Sequence, residues 1–324
     1  MEQILKGFER VAEGSAAVRF VDVVLRGIGQ VIFMNNPLTG LFFLAAIIWG
    51  AVAVGAPFIA LCGILAVIVA TATARIMEGE SAAWRAGLLG YDSVLVGLAL
   101  GTFLAPNVQL LFVVAFAAAA SVVVAKAVGG FLKPYGVPSL TFGFVFMAWL
   151  FLLASHGFAG LVPGGLPGAA LTGTRAVVAS DPLSPGAFFA GVALSVSQVF
   201  LKDSIGAALL FLVGLAIASR VAALLAIAGA VIAVVVAHLA GAESDLVSGG
   251  LLGFSPVLTA VALGCIFRAP TPGGLVLAAF ATALTVIVQA AFNAALAPLA
   301  LPALTMPFVV VTWLFLLAQP QKAD

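Results

Sequence analysis

The stretch VPSLTFGFVFMAWLFLL at residues 137–153 returns at residues 301–317 as LPALTMPFVVVTWLFLL, an offset of 164 residues. Each copy carries a proline, a threonine three positions later, and then a long apolar run. A repeat spaced at half the length of the chain indicates two homologous halves. The period is too long for a solenoid, whose units are only tens of residues long.

Two further segments recur at nearly the same distance. GLLGYDSVLVGLALG at residues 87–101 matches GLLGFSPVLTAVALG at residues 250–264, and QVIFMNNPLTGLFFL at residues 30–44 matches QVFLKDSIGAALLFL at residues 198–212. In a very apolar chain, such duplication is typical of transport proteins, whose pathway lies near the interface between the copies.

The composition indicates a polytopic membrane protein that uses the lipid bilayer as its solvent. Hydrophobic residues make up 64% of the chain and charged residues 8%, whereas soluble domains are about half apolar and a quarter charged. The net charge of +1 leaves no basic excess with which to bind nucleic acid.

Breaks at Pro, Gly and Asn divide each half into six apolar segments. A spanning helix needs about 20 residues. We expect the segments at 20–35, 38–56, 58–75, 88–104, 107–126 and 138–155 in the first half, and at 187–201, 204–219, 221–241, 251–267, 274–294 and 301–317 in the second.

These segments define the domain organisation. We expect an N-terminal interfacial helix over 1–19, a first membrane repeat over 20–155, a Gly- and Pro-rich surface loop over 156–185, a second repeat over 186–318 and a tail over 319–324. The interfacial helix is predicted because apolar residues fall on one helical face, namely Ile4, Leu5, Phe8, Val11 and Ala12.

The distribution of basic residues favours five crossings in each half, with the fourth segment a re-entrant half-helix that opens at the Gly90-Tyr91-Asp92 break. An inside N-terminus then puts nine basic residues on the cytoplasmic side: Lys6, Arg10, Arg19, Arg26, Lys126, Lys133, Lys202, Arg268 and Lys322. Four fall outside: Arg75, Arg85, Arg175 and Arg220. An odd number of crossings inverts the second half relative to the first. The predicted fold is therefore an all-α polytopic membrane protein made of two inverted homologous halves.

Uncharged hydrogen-bonding side chains recur in both copies. Thr141 and Thr305 each follow a proline at the start of an apolar run, and Gln30 recurs as Gln198. A buried amide or hydroxyl without a partner costs about 1–3 kcal/mol, so these groups need either helix partners or a polar permeant. Helix-helix hydrogen bonding is the common role of such a residue taken singly, but the repetition favours a pore, and symmetry would place Thr141 and Thr305 together near its centre.

Aromatic side chains accompany these polar groups. Phe33 lies one helical turn after Gln30, and Tyr91 and Phe254 occupy equivalent positions with Leu95 and Leu258 one turn later. A flat slot between ring faces, edged by oxygen acceptors, suits a planar neutral molecule that carries N–H donors. Packing remains the ordinary role of any single Phe.

Three motifs together resemble the urea transporter family: Asn36-Pro37-Leu38-Thr39-Gly40 after Gln30 and Phe33, the GLLGYDSVLVG segment, and two copies of (L/V)PxLTxxF. The resemblance covers roughly residues 20–317. It implies a homotrimer whose protomers each hold a pore, and passive, channel-like permeation of urea or related small amides through a narrow neutral filter. It also implies that the substrate-binding set comprises Gln30, Phe33, Tyr91, Leu95, Thr141, Gln198, Leu201, Phe254, Leu258 and Thr305.

Several positions depart from the family pattern. The partner of Phe33 at an offset of 168 is Leu201, or Phe200 if the register slips by one residue. Tyr91 stands where Phe is usual, Gln198 where Glu is often found, and Asp92 and Ser255 where Asn is usual. These differences bear on selectivity more than on the fold.

Asp92 supports an alternative function. An intramembrane carboxylate is a candidate functional site, and a proton site here would make the chain a proton-coupled secondary transporter of a small solute. We favour a helix-capping role, because Asp92 lies at a predicted helix start. An ammonium-type channel would need histidines at the pore centre, and His156 and His238 lie at predicted span ends instead.

An enzyme, a cofactor and a metal site are not expected. The sequence has no HExxH, CxxC or Walker motif, and Cys62 and Cys265 sit in apolar runs typical of buried thiols. From the compact length we expect a multi-pass protein of a bacterial cell inner membrane.

Overall fold

The architecture is described from a computed structural model that covers residues 11–171 and 181–318. Within these residues, twelve helices of eight residues or more follow one another, six in each repeat. They are α1 Ala16–Gln30, α2 Pro37–Ala53, α3 Pro57–Glu78, α4 Tyr91–Phe103, α5 Val108–Leu132, α6 Phe142–Ala154, α7 Pro185–Ser197, α8 Ile205–Ala218, α9 Arg220–Leu239, α10 Phe254–Val261, α11 Pro272–Leu296 and α12 Met306–Leu317.

The helices confirm the prediction of an all-α polytopic membrane protein. Each of the twelve expected segments contains one helix, and α3, α5, α9 and α11 are each long and apolar enough to cross a membrane. Helix α7, extended to Phe200, and α8 are bent by 72° at a short break. Sequence analysis did not predict the two short helices Ala82–Arg85 and Ser244–Ser248, which precede α4 and α10.

Helix length alone does not settle which segment is re-entrant. Helix α4 has 13 residues, or about 20 Å at 1.5 Å per residue, which is less than the roughly 30 Å of a hydrocarbon core. Helices α6 and α12, with 13 and 12 residues, are equally short. The re-entrance of the fourth segment and the inverted sense of the halves therefore stay predictions.

The two repeats are related by a local two-fold axis. The main contacts between them join equivalent helices, α2 with α8 and α6 with α12. The rings of Phe43 and Phe211, 168 residues apart, lie 5.3 Å from one another. Trp149 Nε1 donates to Pro302 O at 2.9 Å, and Trp313 Nε1 donates to Pro138 O at 2.8 Å. Reciprocal contacts of this kind define an isologous interface, which a two-fold axis generates.

Local sequence explains where the second helix of each repeat begins. Asn36 Oδ1 accepts hydrogen bonds from the backbone N–H groups of Leu38 and Thr39, and the equivalent Ser204 Oγ accepts one from Ala207. A side-chain oxygen at this position satisfies backbone donors that a new helix leaves free. The break before α2 and the break before α8 are therefore built into both copies.

Glycines allow the central helices of the first repeat to pack closely. A Cβ added to Gly97 on α4 would collide with the carbonyl oxygen of Cys62 on α3 and would lie 2.7 Å from the Cβ of Ala66. Gly63 on α3 faces the Leu98 side chain, and Gly101 lies one turn beyond Gly97. Small residues spaced in this way bring helix backbones together in membrane proteins.

The side chain of Lys202 is buried: it is 2% exposed, and its methylene groups pack on Gly50 of α2. The inter-repeat segment is not only a surface loop: Leu161 is buried, and Leu104 forms a bridge with Pro163. The first ten residues of the interfacial helix, Arg175 and the tail at 319–324 lie outside the described residues.

Gly97→Ala should lower the thermal unfolding midpoint of the purified protein. Overpacking a close contact costs about 1–3 kcal/mol, and the added methyl group would meet backbone rather than a flexible side chain. Gly129→Ala on α5 is the matched control, because an added Cβ there has no neighbour within 4 Å. Equal midpoints for the two variants in detergent would contradict the proposed close packing.

Candidate functional site

Two cavities lie at the interface between the repeats, and their linings are related by the repeat. The first cavity, of about 220 Å³, is lined by Gln30, Val31, Phe33, Leu88, Tyr91, Pro138, Leu140, Thr141, Ile266 and Phe267. The second cavity, of about 390 Å³, is lined by the equivalent Gln198, Val199, Leu201, Leu251, Phe254, Pro302, Leu304, Thr305 and Phe103, together with further residues. Each cavity borrows residues from the far repeat, Ile266 in the first and Phe103 in the second, so neither repeat builds a cavity alone.

Thr141 and Thr305 mark the point at which the two cavities approach each other. Their hydroxyl oxygens share a hydrogen bond of 2.7 Å, and each threonine lines one of the cavities. A hydroxyl has one donor and two acceptor lone pairs, so each oxygen keeps acceptor capacity after the shared bond. Sequence analysis predicted that these threonines meet, and the structure brings them together.

Tryptophans of α6 and α12 hold the turns that present the threonines. The acceptors of their indole N–H groups, Pro138 O and Pro302 O, belong to the turns that lead into Thr141 and Thr305. Each turn is therefore tied to the opposite repeat. An indole N–H buried in an apolar setting normally needs such a partner, which explains the recurrence of Trp in the repeated stretch.

Unusual backbone conformations cluster at the cavities. Among the described residues, five that are not glycine have positive φ, and four of them line a cavity: Phe33 at 62°, Leu140 at 51°, Leu201 at 52° and Leu304 at 51°. They form two pairs related by the repeat. Left-handed backbone is costly for a side-chain-bearing residue and concentrates at functional sites. The repetition of this cost in both copies indicates that the cavities, and not packing alone, require it.

The side-chain amides of Gln30 and Gln198, which we expect at the two mouths of a pore, are anchored in the same way. Gln30 Nε2 donates to Ala86 O at 2.9 Å, and Gln198 Nε2 approaches the equivalent Gly249 O at 3.5 Å. With the nitrogen of the amide held by the protein, the side-chain oxygen remains as an acceptor. Each glutamine lines its cavity.

The aromatic walls differ between the two cavities. In the first, the ring of Phe33 lies 5.5 Å from that of Phe267 and 6.2 Å from that of Phe308. In the second, Leu201 takes the place of Phe33 and lines the cavity, whereas Phe200 is buried and stacks on Phe211 at 4.4 Å. The structure thus selects the register with an offset of 168. The smaller leucine is consistent with the larger volume of the second cavity.

Tyr91 and Phe254 both line cavities, but only the tyrosine carries a hydroxyl. Tyr91 Oη donates to Leu140 O at 2.7 Å, which secures the left-handed turn before Thr141. Leu95 and Leu258, one turn further along each helix, are fully buried in the main hydrophobic core. They are not among the residues that line either cavity, so their part in a permeant slot stays a prediction.

Asp92 is buried behind the first cavity. Its side chain makes no capping hydrogen bond to α4, whose N-cap is Gly90, so the predicted capping role is wrong in that respect. The carboxylate lies instead against α6: a Cβ added to Gly143 would be 2.5 Å from Oδ2, and the backbone of Phe144 approaches the carboxylate. Neither carboxylate oxygen has a side-chain hydrogen-bond partner among the described residues. Asp92 remains in the first turn of α4, where the helix dipole favours a negative charge.

Sequence reasoning missed three kinds of lining residue. Leu140 and Leu304 were visible in the repeated stretch, but no sequence signal gave their backbone conformation. Ile266 and Phe267 lie at the end of the helical turn Ala262–Ile266 that follows α10, and only the tertiary arrangement brings them to the first cavity. Gln289 and Asn293 were overlooked because they have no polar counterpart in the first repeat, although an amide within an apolar span is itself a signal.

Taken together, the fold and the site define a class. A duplicated all-helical membrane protein, with two uncharged cavities that approach each other at a polar centre between the repeats, is a transport protein of the internal-repeat type. The family model described as urea transporter matches residues 21–320. The chain belongs to the urea transporter family.

Characterised relatives agree with this family. The chain is 29% identical over 304 residues to urea transporter 1 of Ovis aries, which covers 93% of this chain and 77% of that protein. It is 28% identical over 312 residues to urea transporter 1 of Rattus norvegicus, which covers 95% of this chain and 79% of that protein. The similarity therefore extends over both repeats.

Leu201→Phe should make the second cavity as narrow as the first. The backbone at 201 already has the left-handed conformation that accommodates Phe33 in the other repeat. We expect flux of dimethylurea to fall relative to urea by roughly tenfold, the lower end of the discrimination that a methylene-sized difference gives a pocket. The comparison uses proteoliposomes.

Phe33→Leu is the reciprocal variant, which places the smaller side chain in the first cavity. It should raise the flux of dimethylurea relative to that of urea. Unchanged flux ratios in both variants would show that positions 33 and 201 do not limit the size of the permeant.

Proposed function

We propose that this protein mediates passive, channel-like permeation of urea, and of related small amides, across the membrane. The observation that carries the proposal is the pair of uncharged cavities that approach each other at Thr141 and Thr305. Membership of the urea transporter family and the printed names of the relatives support urea as the permeant.

The chemistry of the linings suits urea. Urea is planar and neutral, with four N–H donors and one carbonyl acceptor, so it needs oxygen acceptors at its edges and apolar contact at its faces. The acceptors are the side-chain oxygens of Gln30, Gln198, Thr141 and Thr305, and the faces meet Phe33, Tyr91 and Phe254. Urea exchanges water for these groups in steps. Leu201 completes the apolar wall of the second cavity, and the buried Leu95 and Leu258 support Tyr91 and Phe254 from one turn further along each helix.

The same groups exclude ions. None of the described residues that line the two cavities is charged. A neutral, largely apolar lining cannot replace the hydration of an ion, whose transfer into such an environment costs far more than the transfer of a neutral amide.

We further propose a homotrimer in the cell inner membrane, with a pore in each protomer. The family and the apolar outward-facing side chains, such as Phe112, Phe116 and Leu224, support a multi-pass protein in contact with lipid or with partner copies. Light scattering of the detergent-solubilised protein should give the mass of three protomers. A monomer at every concentration would contradict the assembly without affecting the pore.

Stopped-flow urea flux into proteoliposomes tests the function. The wild-type protein should raise urea flux above that of empty liposomes, and a protonophore should leave the flux unchanged. Replacing both threonines, Thr141→Val with Thr305→Val, should reduce flux by roughly tenfold or more, because each lost hydrogen bond is worth about 1 kcal/mol.

Thr282→Val is the matched control, since its hydroxyl bonds to Ala278 O within α11 and does not line either cavity. Urea flux equal to that of empty liposomes would contradict the proposed function. A threonine variant that behaved like the control would remove the pair from the pathway.

Proton-coupled transport is the second candidate, because the Asp92 carboxylate is buried and has no side-chain hydrogen-bond partner among the described residues. Uptake that depends on a proton gradient, and that is lost in Asp92→Asn, would establish it. The channel predicts instead that Asp92→Asn keeps most of the flux and that the gradient has no effect.

A further inference from the structure

The second cavity contains a chain of polar side chains that extends its lining beyond the repeated set. Ser255 Oγ donates to Gln289 Oε1 at 2.7 Å, and Gln289 Nε2 donates to Asn293 Oδ1 at 3.2 Å. Gln289 is 1% exposed and Asn293 is half-buried, and both line the cavity. Gln289 and Asn293 are one turn apart on α11, so one helix presents both amides.

The first cavity has no equivalent of this chain. At the offset of 164 that relates α5 to α11, the positions of Gln289 and Asn293 are occupied by Ala125 and Gly129. Asp92 takes the place of Ser255 at the offset of 163. The amides of Gln289 and Asn293 are therefore present in the second repeat without counterparts in the first, and the duplication does not explain them.

The direction of these hydrogen bonds determines what kind of ligand group the Ser255, Gln289 and Asn293 side chains can bind. Asn293 receives a hydrogen bond at Oδ1, so its two N–H donors remain, and within the described residues Nδ2 donates to no acceptor. An uncharged pair of N–H donors in a cavity of mainly apolar lining binds an oxygen acceptor such as a carbonyl group. The glutamines Gln30 and Gln198 and the threonines Thr141 and Thr305, by contrast, offer oxygen atoms to N–H donors.

A strap of the inter-repeat segment closes this part of the cavity. Gly164 N and Gly165 N donate to Phe103 O at 2.9 and 3.2 Å, and Ala170 N donates to Ala297 O at 3.1 Å. Ala297 lies one turn beyond Asn293, and Gly165, Pro167, Gly168 and Ala170 all line the cavity. The strap thus covers part of the cavity beside the amides.

We infer that the second cavity holds a docking site for the carbonyl oxygen of a small neutral urea or amide, with Asn293 as the donor and Gln289 as the residue that orients it. This inference rests on the proposed function. The site lies beside the aromatic ring of Phe254 in the second cavity, and the described lining of the first cavity has no equivalent amides. It would raise the local concentration of permeant beside the filter on one side of the membrane.

The test compares the concentration dependence of urea and thiourea flux in proteoliposomes. Asn293→Leu keeps the side-chain volume and removes the donors. Losing one hydrogen bond should raise the half-saturating urea concentration roughly fivefold to tenfold. The half-saturating thiourea concentration should change little, because sulfur is a weak acceptor.

Two further variants separate binding from folding. Asn293→Ala, a truncation at a half-buried position, should give the same shift, and Gln289→Met should give a smaller one because the donor remains but loses its orientation. Thr282→Val on the same helix should match wild type in both half-saturating concentrations and in thermal midpoint.

The outcomes distinguish this inference from the proposed function. If wild-type protein conducts urea and both Asn293 variants keep its half-saturating concentration and its preference over thiourea, the docking site is wrong and the channel stands. If wild-type protein does not conduct urea at all, the proposed function fails and the docking site fails with it.

Discussion

The hydrogen bond between Thr141 and Thr305 is the contact around which the two repeats are arranged. Equivalent residues of the two repeats meet here, and the rings of Phe43 and Phe211 are a second pair of equivalent residues in contact, as a local two-fold relation between the repeats would produce. Several other parts of the site occur twice. The glutamine mouths, the left-handed leucines and the tryptophan contacts are paired because this relation pairs them.

The strained turns before α6 and α12 are held in place by contacts from the opposite repeat. The turns before α6 and α12 hold Leu140 and Leu304 with positive φ, a conformation that costs on the order of 1–3 kcal/mol per residue. Each turn is held by an indole N–H of the other repeat, and Tyr91 secures the first turn further. The tryptophan thus couples assembly of the halves to the geometry of the centre, since a half alone would lack the donor that fixes its own turn.

Duplication explains why so much was predictable from the sequence. A repeat shows which residues must be equivalent, so the meeting of Thr141 with Thr305 and the matching of Gln30 with Gln198 followed from spacing and symmetry. Apolar runs bounded by Pro, Gly and Asn gave the twelve helices, because helix caps and backbone hydrogen bonding in lipid restrict where a chain can break. Conformation within the breaks was not predictable, since a leucine carries no local signal for positive φ. The burial of Lys202 was missed for a related reason: its tertiary partner Gly50 lies in the other repeat.

Residue differences between the two repeats make the two cavities unlike each other. Phe33 and Leu201 occupy equivalent left-handed positions, so their difference in size changes one cavity and leaves the backbone alone. Gln289 and Asn293 add donors to that same cavity, where Ala125 and Gly129 leave the other without them. Leu201 enlarges the second cavity and the amides add donors to it, and the described part of the inter-repeat segment lines that cavity. The second cavity has the larger volume, the additional amide donors and the strap. The two ends of the proposed pathway are therefore different environments for the permeant.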